Sequence, residues 1–289
     1  MTGPDDGRVV DEVVETIAES APEIRQGLVG RREDADAENP SGETQAEADV
    51  WADELLADRL SAIDGIYQYA SEERLETIDC GSEDGLSVGV DPLDGSSNLK
   101  SNNTMGTVFG IYDESLPAPG SSLVASGWIL YGPITTMALA RNGTVEKYEL
   151  TGDDRTLVDD DVTLPDDPLV YGFGGRVPHW SDEFEAYVRE IESDPSHKLR
   201  YGGAMIGDVN QVLTYGGIFA YPALEGSSRG KLRLQFEGNP IAHLVETAGG
   251  SSTDGARSIL EVEPDELHDR VPLHVGNDEL IDRLEDALA

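Results

Sequence analysis

The sequence predicts a mixed α and β protein of two domains, with helices and sheets stacked in layers. Three observations carry that reading. The chain has 289 residues, enough for two domains or one large core. Short apolar runs of strand character alternate with segments of helical period from Val9 to the C-terminus. A charge-rich stretch with two prolines nearby, Asp153 to Asp167, interrupts them and marks the boundary, which places the domains at 1–155 and 156–289.

Taken in order, Val9, Val10, Val13, Val14 and Ile17 are spaced for one face of an N-terminal helix. Arg31 to Glu47 is polar and small, with Pro40 and Gly42, and reads as the least ordered part. Helical spacing resumes at Val50, Leu55, Leu56 and Leu60. Ser87–Val90 and Thr107–Tyr112 read as strands, and Leu123 to Tyr148 as a meander with turns at Tyr131-Gly-Pro and Arg141-Asn-Gly. A strand at Leu169–Tyr171, helices near Glu183–Glu190 and Asn210–Leu213, and a strand at Gly217–Tyr221 follow. Asn239-Pro240 reads as a helix cap with proline at the first turn, and Gly249-Gly250 as that helix's end. No internal repeat is visible.

Acidic residues number 58 against 20 basic ones, a formal charge of -38. That charge excludes a polyanion partner, because nucleic-acid binding needs basic clusters that displace counterions. Recurrent apolar periodicity argues against disorder, leaving a folded core under a self-repelling acidic shell. Concentrated salt screens such a shell to a few ångströms. A salt-rich cytoplasm, of the kind haloarchaea keep, is therefore expected. The single cysteine, Cys80, allows no internal disulfide. The opening Met-Thr-Gly-Pro-Asp-Asp lacks the basic-then-apolar order of a signal peptide. The most apolar stretch, Leu123 to Ala140, is broken by Ser126, Gly127, Gly132 and Pro133, which suits two strands better than a membrane span. A cytoplasmic location without membrane contact is the expectation.

The most informative segment is Asp91-Pro-Leu-Asp-Gly-Ser-Ser-Asn98. It follows a β-branched run, so two carboxylates sit where a strand ends. Pro92 fixes the backbone, Gly95 permits a turn, and Ser96, Ser97 and Asn98 could open a helix whose free N–H groups suit a phosphate. Carboxylates with a main-chain carbonyl such as that of Leu93 are ligands Mg²⁺ prefers. The plainer reading is a turn capping a helix. A second feature is Arg229 to Glu237. As a strand, it would put Lys231, Arg233, Gln235 and Glu237 on one face and Leu232, Leu234 and Phe236 on the other. With only four lysines in the chain, one beside an arginine and a carboxylate suits a phosphate facing a metal better than a solvated strand face. Ser71-Glu72-Glu73, and Asp49 one turn before Asp53, carry little information alone in so acidic a chain. None of the five histidines shows metal spacing.

Together these segments resemble the class I fructose-1,6-bisphosphatase family, in the lithium-sensitive sugar phosphatase superfamily. The resemblance runs from about residue 45 to 255. It rests on Ser71-Glu-Glu, Asp91 to Asn98, Gly106 to Tyr112, Leu123 to Gly132, Arg200-Tyr201, Tyr215 to Pro222, Gly230 to Glu237 and Asn239-Pro240, in the family's order. Gly-Lys-Leu-Arg points to the bisphosphatase branch. The resemblance implies a layered α-β-α-β-α fold, with an N-terminal domain holding most metal ligands and a C-terminal domain supplying sugar-phosphate contacts. It implies Mg²⁺-dependent hydrolysis of the 1-phosphate of fructose 1,6-bisphosphate, a gluconeogenic step, by a homodimer or homotetramer. Two or three Mg²⁺ would be held by Glu72, Asp91, the Leu93 carbonyl, Asp94 and Glu237. Glu73 and Asp49 would prepare the attacking water. Asp94, Gly95, Ser96 and Ser97 would meet the 1-phosphate, and Lys231 and Arg233 the substrate. Tyr201 and Tyr221 would grip the 6-phosphate, with Arg200 reaching it from a neighbouring subunit. The polar loop before Val50 matches the family's mobile active-site loop.

This chain departs from the family pattern at two places. Gly174 stands where the family has an asparagine touching the 6-phosphate. Ala21-Pro-Glu-Ile, Gly85-Leu86 and Asp113 stand where the AMP site has its determinants, so no AMP inhibition through that site is expected. Sedoheptulose-1,7-bisphosphatase and an inositol-monophosphatase-like enzyme are the nearest alternatives. A non-catalytic acidic cation-binding protein is the alternative from a different class, and it leaves Lys231 and Arg233 unexplained.

Overall fold

The computed structural model describes residues 4–40, 42, 44–82, 85–152, 154–226 and 229–289. Helix α1 (Pro4–Gly27) buries the predicted stripe from Val9 to Ile17 and continues it through Ala21 and Ile24. A hairpin, β1 (Asp34–Glu38) and β2 (Thr44–Ala46), precedes α2 (Glu47–Leu60). Part of the segment expected to be least ordered is therefore paired backbone, and its Gln45 and Asn39 reach the body at Glu73 and Glu72.

Eight strands then form one sheet. They are β3 (Ile66–Ser71), β4 (Ile78–Asp79), β5 (Leu86–Asp94), β6 (Gly106–Tyr112), β7 (Leu123–Tyr131), β8 (Thr135–Arg141), β9 (Thr144–Thr151) and β10 (Asp154–Asp159), with the one-turn helix α3 (Asn98–Ser101) after β5. Their order is β10-β9-β8-β7-β6-β5-β3-β4. Only β3 and β5 run parallel; the rest is an antiparallel meander. Asn142 and Gly143 take positive φ at the β8–β9 turn, as the Asn-Gly pair demands. The charged run after residue 153 begins as strand β10, an exposed edge whose acidic side chains discourage further pairing.

The second half contains β11 (Val170–Phe173), α4 (Asp182–Ser193), β12 (Lys198–Leu199), α5 (Met205–Tyr215), β13 (Gly217–Tyr221), β14 (Leu232–Arg233), α6 (Asn239–Thr247), β15 (Ser251–Thr253), β16 (Arg270–Val271), β17 (Leu273–Gly276) and α7 (Asp278–Leu288). Its main sheet has the order β12-β11-β13-β17-β15, and β14 pairs with β16 separately.

Alternation along the strands explains the layering. Phe109, Ile111, Ala125 and Ile129 pack against α1 and α2 on one face of the large sheet. Val108, Trp128, Leu130 and Ala138 face the other way, onto α5, α6 and the inner face of the second sheet. The outer face of that sheet packs on α4 and α7. The result is five layers, α-β-α-β-α. None of the described helices is long and apolar enough to cross a membrane.

The expected strand from Arg229 to Glu237 does not form. Only Leu232 and Arg233 are extended; Leu234 to Gly238 is a π-helical turn that runs straight into α6. Asn239 is consequently a helical residue, not the cap, and its amide donates to the Ala118 carbonyl at 3.3 Å. Strand alternation also fails at Gln235, whose side-chain oxygen accepts from Ala118 N–H at 2.9 Å. Leu232, Leu234 and Phe236 are all buried, so the apolar count of the segment was sound but its period was not.

Candidate active site

Between the two sheets lies a cavity of about 300 Å³, lined by Asp49, Glu72, Glu73, Asp91, Leu93, Asp94, Gly95, Ser96, Ser97, Tyr201, Tyr221, Lys231, Arg233 and Glu237. Asn39, Gln45, Gly203, Ala204, Met205, Phe219 and Leu232 complete its wall. Arg200 is exposed and lies outside it.

The parallel pairing of β3 with β5 brings the first carboxylates together. Ser71 sits opposite Val90, where β3 ends, so the next residues, Glu72 and Asp91, lie side by side while β5 runs on to Asp94. The carboxyl ends of parallel strands are a usual place for a ligand site. Asp91 Oδ1 accepts the Leu93 N–H at 2.9 Å, which bends the chain at Pro92. Thr107 Oγ1 donates to the Pro92 carbonyl at 2.9 Å and fixes that bend. Gly95 then takes φ +77°, and a Cβ there would stand 2.3 Å from the Ala204 Cβ, so glycine is required both by the turn and by the neighbour. Asp94 Oδ2 accepts the Ile206 N–H at 2.7 Å from the start of α5.

Glu237 arrives by the π turn. Its Oε2 accepts the Arg233 N–H at 2.6 Å, an i to i+4 closure that folds the carboxylate back toward β14. Arg233 is 2% exposed, and its guanidinium lies 3.1 Å from Glu72 Oε1. Oxygen atoms of Glu72, Asp91 and Glu237 all lie within 4.8 Å of one another. These are hard oxygen donors, all buried and close enough together that they could share a divalent cation.

Glu73 is gripped from the hairpin, because Gln45 Nε2 donates to its Oε2. Asp49 Oδ2 accepts the Ala46 N–H at 2.8 Å, across the first turn of α2. Gln45 and Asn39 are both buried, and Asn39 Nδ2 lies 3.5 Å from Glu72 Oε1. Sequence reasoning did not find either residue. They lie in the segment read as loosely ordered, and a neutral amide gives no charge signal there.

Six carboxylates (Asp49, Glu72, Glu73, Asp91, Asp94, Glu237) face two cations (Lys231, Arg233) in this one space. Burial, then the charges of Glu72, Asp94 and Glu237, push Asp91 well above the carboxylate range. Glu237 rises for the same reasons, against the opposing pull of Arg233. Burial lifts Asp94 to about 7, even with the Ile206 N–H opposing it. Glu73 is raised to about 8 by burial and by the Asp49 and Glu72 charges, and Asp49 to about 6 mainly by burial. Such a cluster holds protons at neutral pH until another positive charge replaces them.

On the C-terminal side, the exposed Lys231 ammonium lies 5.8 Å from the centre of the Tyr221 ring. The ring also fills the space beside Gly174: a Cβ at 174 would stand 2.2 Å from it. Without that side chain Tyr221 moves in close, and an asparagine could enter only by displacing the ring.

Comparison with known proteins agrees with this geometry. The family model for the fructose-1-6-bisphosphatase N-terminal domain matches residues 12–156, and that for the C-terminal domain matches residues 164–289. The chain is 60% identical over 280 residues to a protein of Natronomonas pharaonis named fructose-1,6-bisphosphatase class 1, covering 96% of this chain and 98% of that one. A second, from Haloarcula marismortui, is 54% identical, covering 96% and 94%. The crystal structure of Leishmania major fructose-1,6-bisphosphatase in holo form superposes with a TM-score of 0.90 at 26% identity, covering 99% of this chain and 95% of that one. Fold and pocket together therefore define a phosphoric monoester hydrolase. The chain belongs to the class 1 fructose-1,6-bisphosphatase family. Relatives from haloarchaea fit the acidic, salt-screened surface read from composition.

Proposed function

We propose that this chain hydrolyses the 1-phosphate of fructose 1,6-bisphosphate, giving fructose 6-phosphate and inorganic phosphate in gluconeogenesis. The observation that carries the reading is the convergence of Glu72, Asp91 and Glu237 in one cavity with the turn at Gly95–Ser97 and the Lys231–Arg233 pair. Glu72, Asp91, Asp94, Glu237 and the Leu93 carbonyl would hold two or three Mg²⁺. When bound, these ions supply charge neutralisation at the phosphoryl oxygens and an acidified water. Glu73, placed by Gln45, takes the proton of the attacking water, and Asp49 orients that water. Gly95, Ser96 and Ser97 hold the 1-phosphate, with Asp94 beside it. Lys231 and Arg233 contact the sugar phosphate, and Tyr201 and Tyr221 hold the second phosphate.

Most metal ligands belong to an N-terminal domain of residues 1–155, and residues 156–289 form the domain that supplies Glu237 and the sugar contacts. The enzyme works in the cytoplasm as a homodimer or homotetramer. Arg200, exposed and outside its own cavity, reaches the second phosphate of a neighbouring copy.

Phosphate release from a panel of sugar phosphates, with Mg²⁺ in molar salt, tests the assignment. Fructose 1,6-bisphosphate is expected to give the highest kcat/KM. A preference for sedoheptulose 1,7-bisphosphate would move the assignment to the sister activity, and a preference for a monophosphate would discard it. Titrating AMP into the same assay is expected to leave the rate unchanged. Inhibition that survives substrate saturation would show a working AMP site.

A further inference from the structure

Residues 200–206 carry the chain from β12 to α5 across the floor of the cavity, and they meet the phosphate turn at three places. Asp94 accepts the Ile206 N–H, as described. The backbone at Gly95 touches Ala204, leaving no room for a Cβ. Gly203, at φ +81°, sits with its missing Cβ 3.4 Å from Asn98 Oδ1.

Just before these contacts comes Gly202, whose peptide groups have no strand partner because the β11–β12 pairing ends at Leu199. Side chains satisfy both. The Gly202 N–H donates to Asp208 Oδ1 at 2.7 Å, from the first turn of α5. Its carbonyl accepts from Asn98 Nδ2 at 3.1 Å and from Asn103 Nδ2 at 2.9 Å, both from the N-terminal half. Asn98 Nδ2 also donates to the Thr104 carbonyl at 2.9 Å, which anchors it to the loop after α3. Burial raises the Asp208 carboxyl to about 6, with the N–H groups of Gly202 and Gly203 pulling the other way, toward its charged form. One residue, through the peptide group on either side of it, is thus clamped from both halves. Tyr201, on one side of it, and Ser96–Ser97, on the other, line the same cavity.

We propose that the Asn98–Gly202–Asp208 clamp, with Asn103, is a spacer that fixes the separation of the two phosphate-holding ends of the site and so selects a sugar carrying phosphates at both ends. The inference rests on the proposed bisphosphatase reading and names Asp208 as a positioning residue. Asp208 touches no reacting atom in this account; it holds the chain that carries Tyr201 against the turn that holds the other phosphate. A loosened clamp leaves the hydrolytic end intact and costs only the fixed second contact, because binding energy from a remote group is realised only when that group is held in place.

The test compares fructose 1,6-bisphosphate with fructose 1-phosphate, which lacks the second phosphate, in wild type, Asp208→Ala, Asp208→Asn and Asn103→Ala. Asp208→Ala is expected to lower the ratio of the two kcat/KM values about tenfold, mostly through KM for the bisphosphate, in line with the loss of one charge-assisted hydrogen bond. Asn103 is exposed, so Asn103→Ala is not expected to disturb folding, and it should lower the ratio about threefold. Asp208→Asn retains an oxygen for the Gly202 N–H and should recover most of the wild-type ratio. An unchanged ratio in Asn103→Ala and in folded Asp208→Ala, or equal losses on both substrates, overturns the spacer. A wild type that hydrolyses neither substrate overturns the parent reading, an outcome separate from either of these.

Discussion

Glu73→Gln lowers kcat on fructose 1,6-bisphosphate by about 10²–10⁴-fold, the range general-base catalysis contributes. The substitution keeps the volume of the side chain, and the new amide oxygen can still accept from Gln45. It removes the ionisable oxygen that Glu73 offers close to neutral pH, where burial and the neighbouring Asp49 and Glu72 charges have placed it at about 8. A second readout separates this loss from unfolding. A carboxyl raised in the folded state costs stability as pH climbs from its unfolded value, near 4.5, through its folded one. The metal-free Gln variant should therefore melt at a higher temperature than wild type at pH 8 and show a flatter melting profile between pH 5 and 8. Wild-type turnover in the variant would remove Glu73 from the chemistry.

Chelation of divalent cations takes phosphate release to background, and Mg²⁺ restores it. The same carboxylates predict how the protein behaves between those two states. Asp91, Asp94 and Glu237 are all raised, burial being the leading cause in each. Between pH 5 and 8 the folded chain binds more protons than the unfolded one, so metal-free stability falls as pH rises. Mg²⁺ replaces those protons, so its binding at pH 7 releases them and removes the pH dependence. Calorimetric titrations in buffers of different ionisation enthalpy count the protons. Activity restored by Mg²⁺ with no proton release would contradict the assignment of these residues as its ligands.

The parts of the site that were legible share one property: the sequence itself forced their geometry. Asp91-Pro-Leu-Asp-Gly places two carboxylates around a fixed bend, which Pro92 and Gly95 make locally and Thr107 pins from β6. The α1 stripe was equally plain, since its period is set by one helix. By contrast, the alternation from Lys231 to Glu237 was misleading. The π turn that replaces a strand there is stabilised by contacts remote in sequence, with Gln235 on Ala118 and the Tyr112 hydroxyl donating to the Gln235 carbonyl. Asn39, Gln45 and Asp208 gave no local signal, because each acts on a residue or peptide that only the assembled sheets and hairpin bring near it.

By itself, the sequence determined the acidic shell, the layered class and the Asp91–Ser97 turn, because composition, period and turn chemistry act within a few residues. Most other cavity-lining side chains were named only through the family resemblance. Tertiary structure decided which carboxylates share a space. Parallel pairing of β3 with β5 sets Glu72 beside Asp91, and the turn into α6 swings Glu237 onto both. Buried like charges acquire their raised proton affinity, and with it their demand for a cation, only at that proximity, since Coulomb repulsion at a few ångströms is a property of the folded chain.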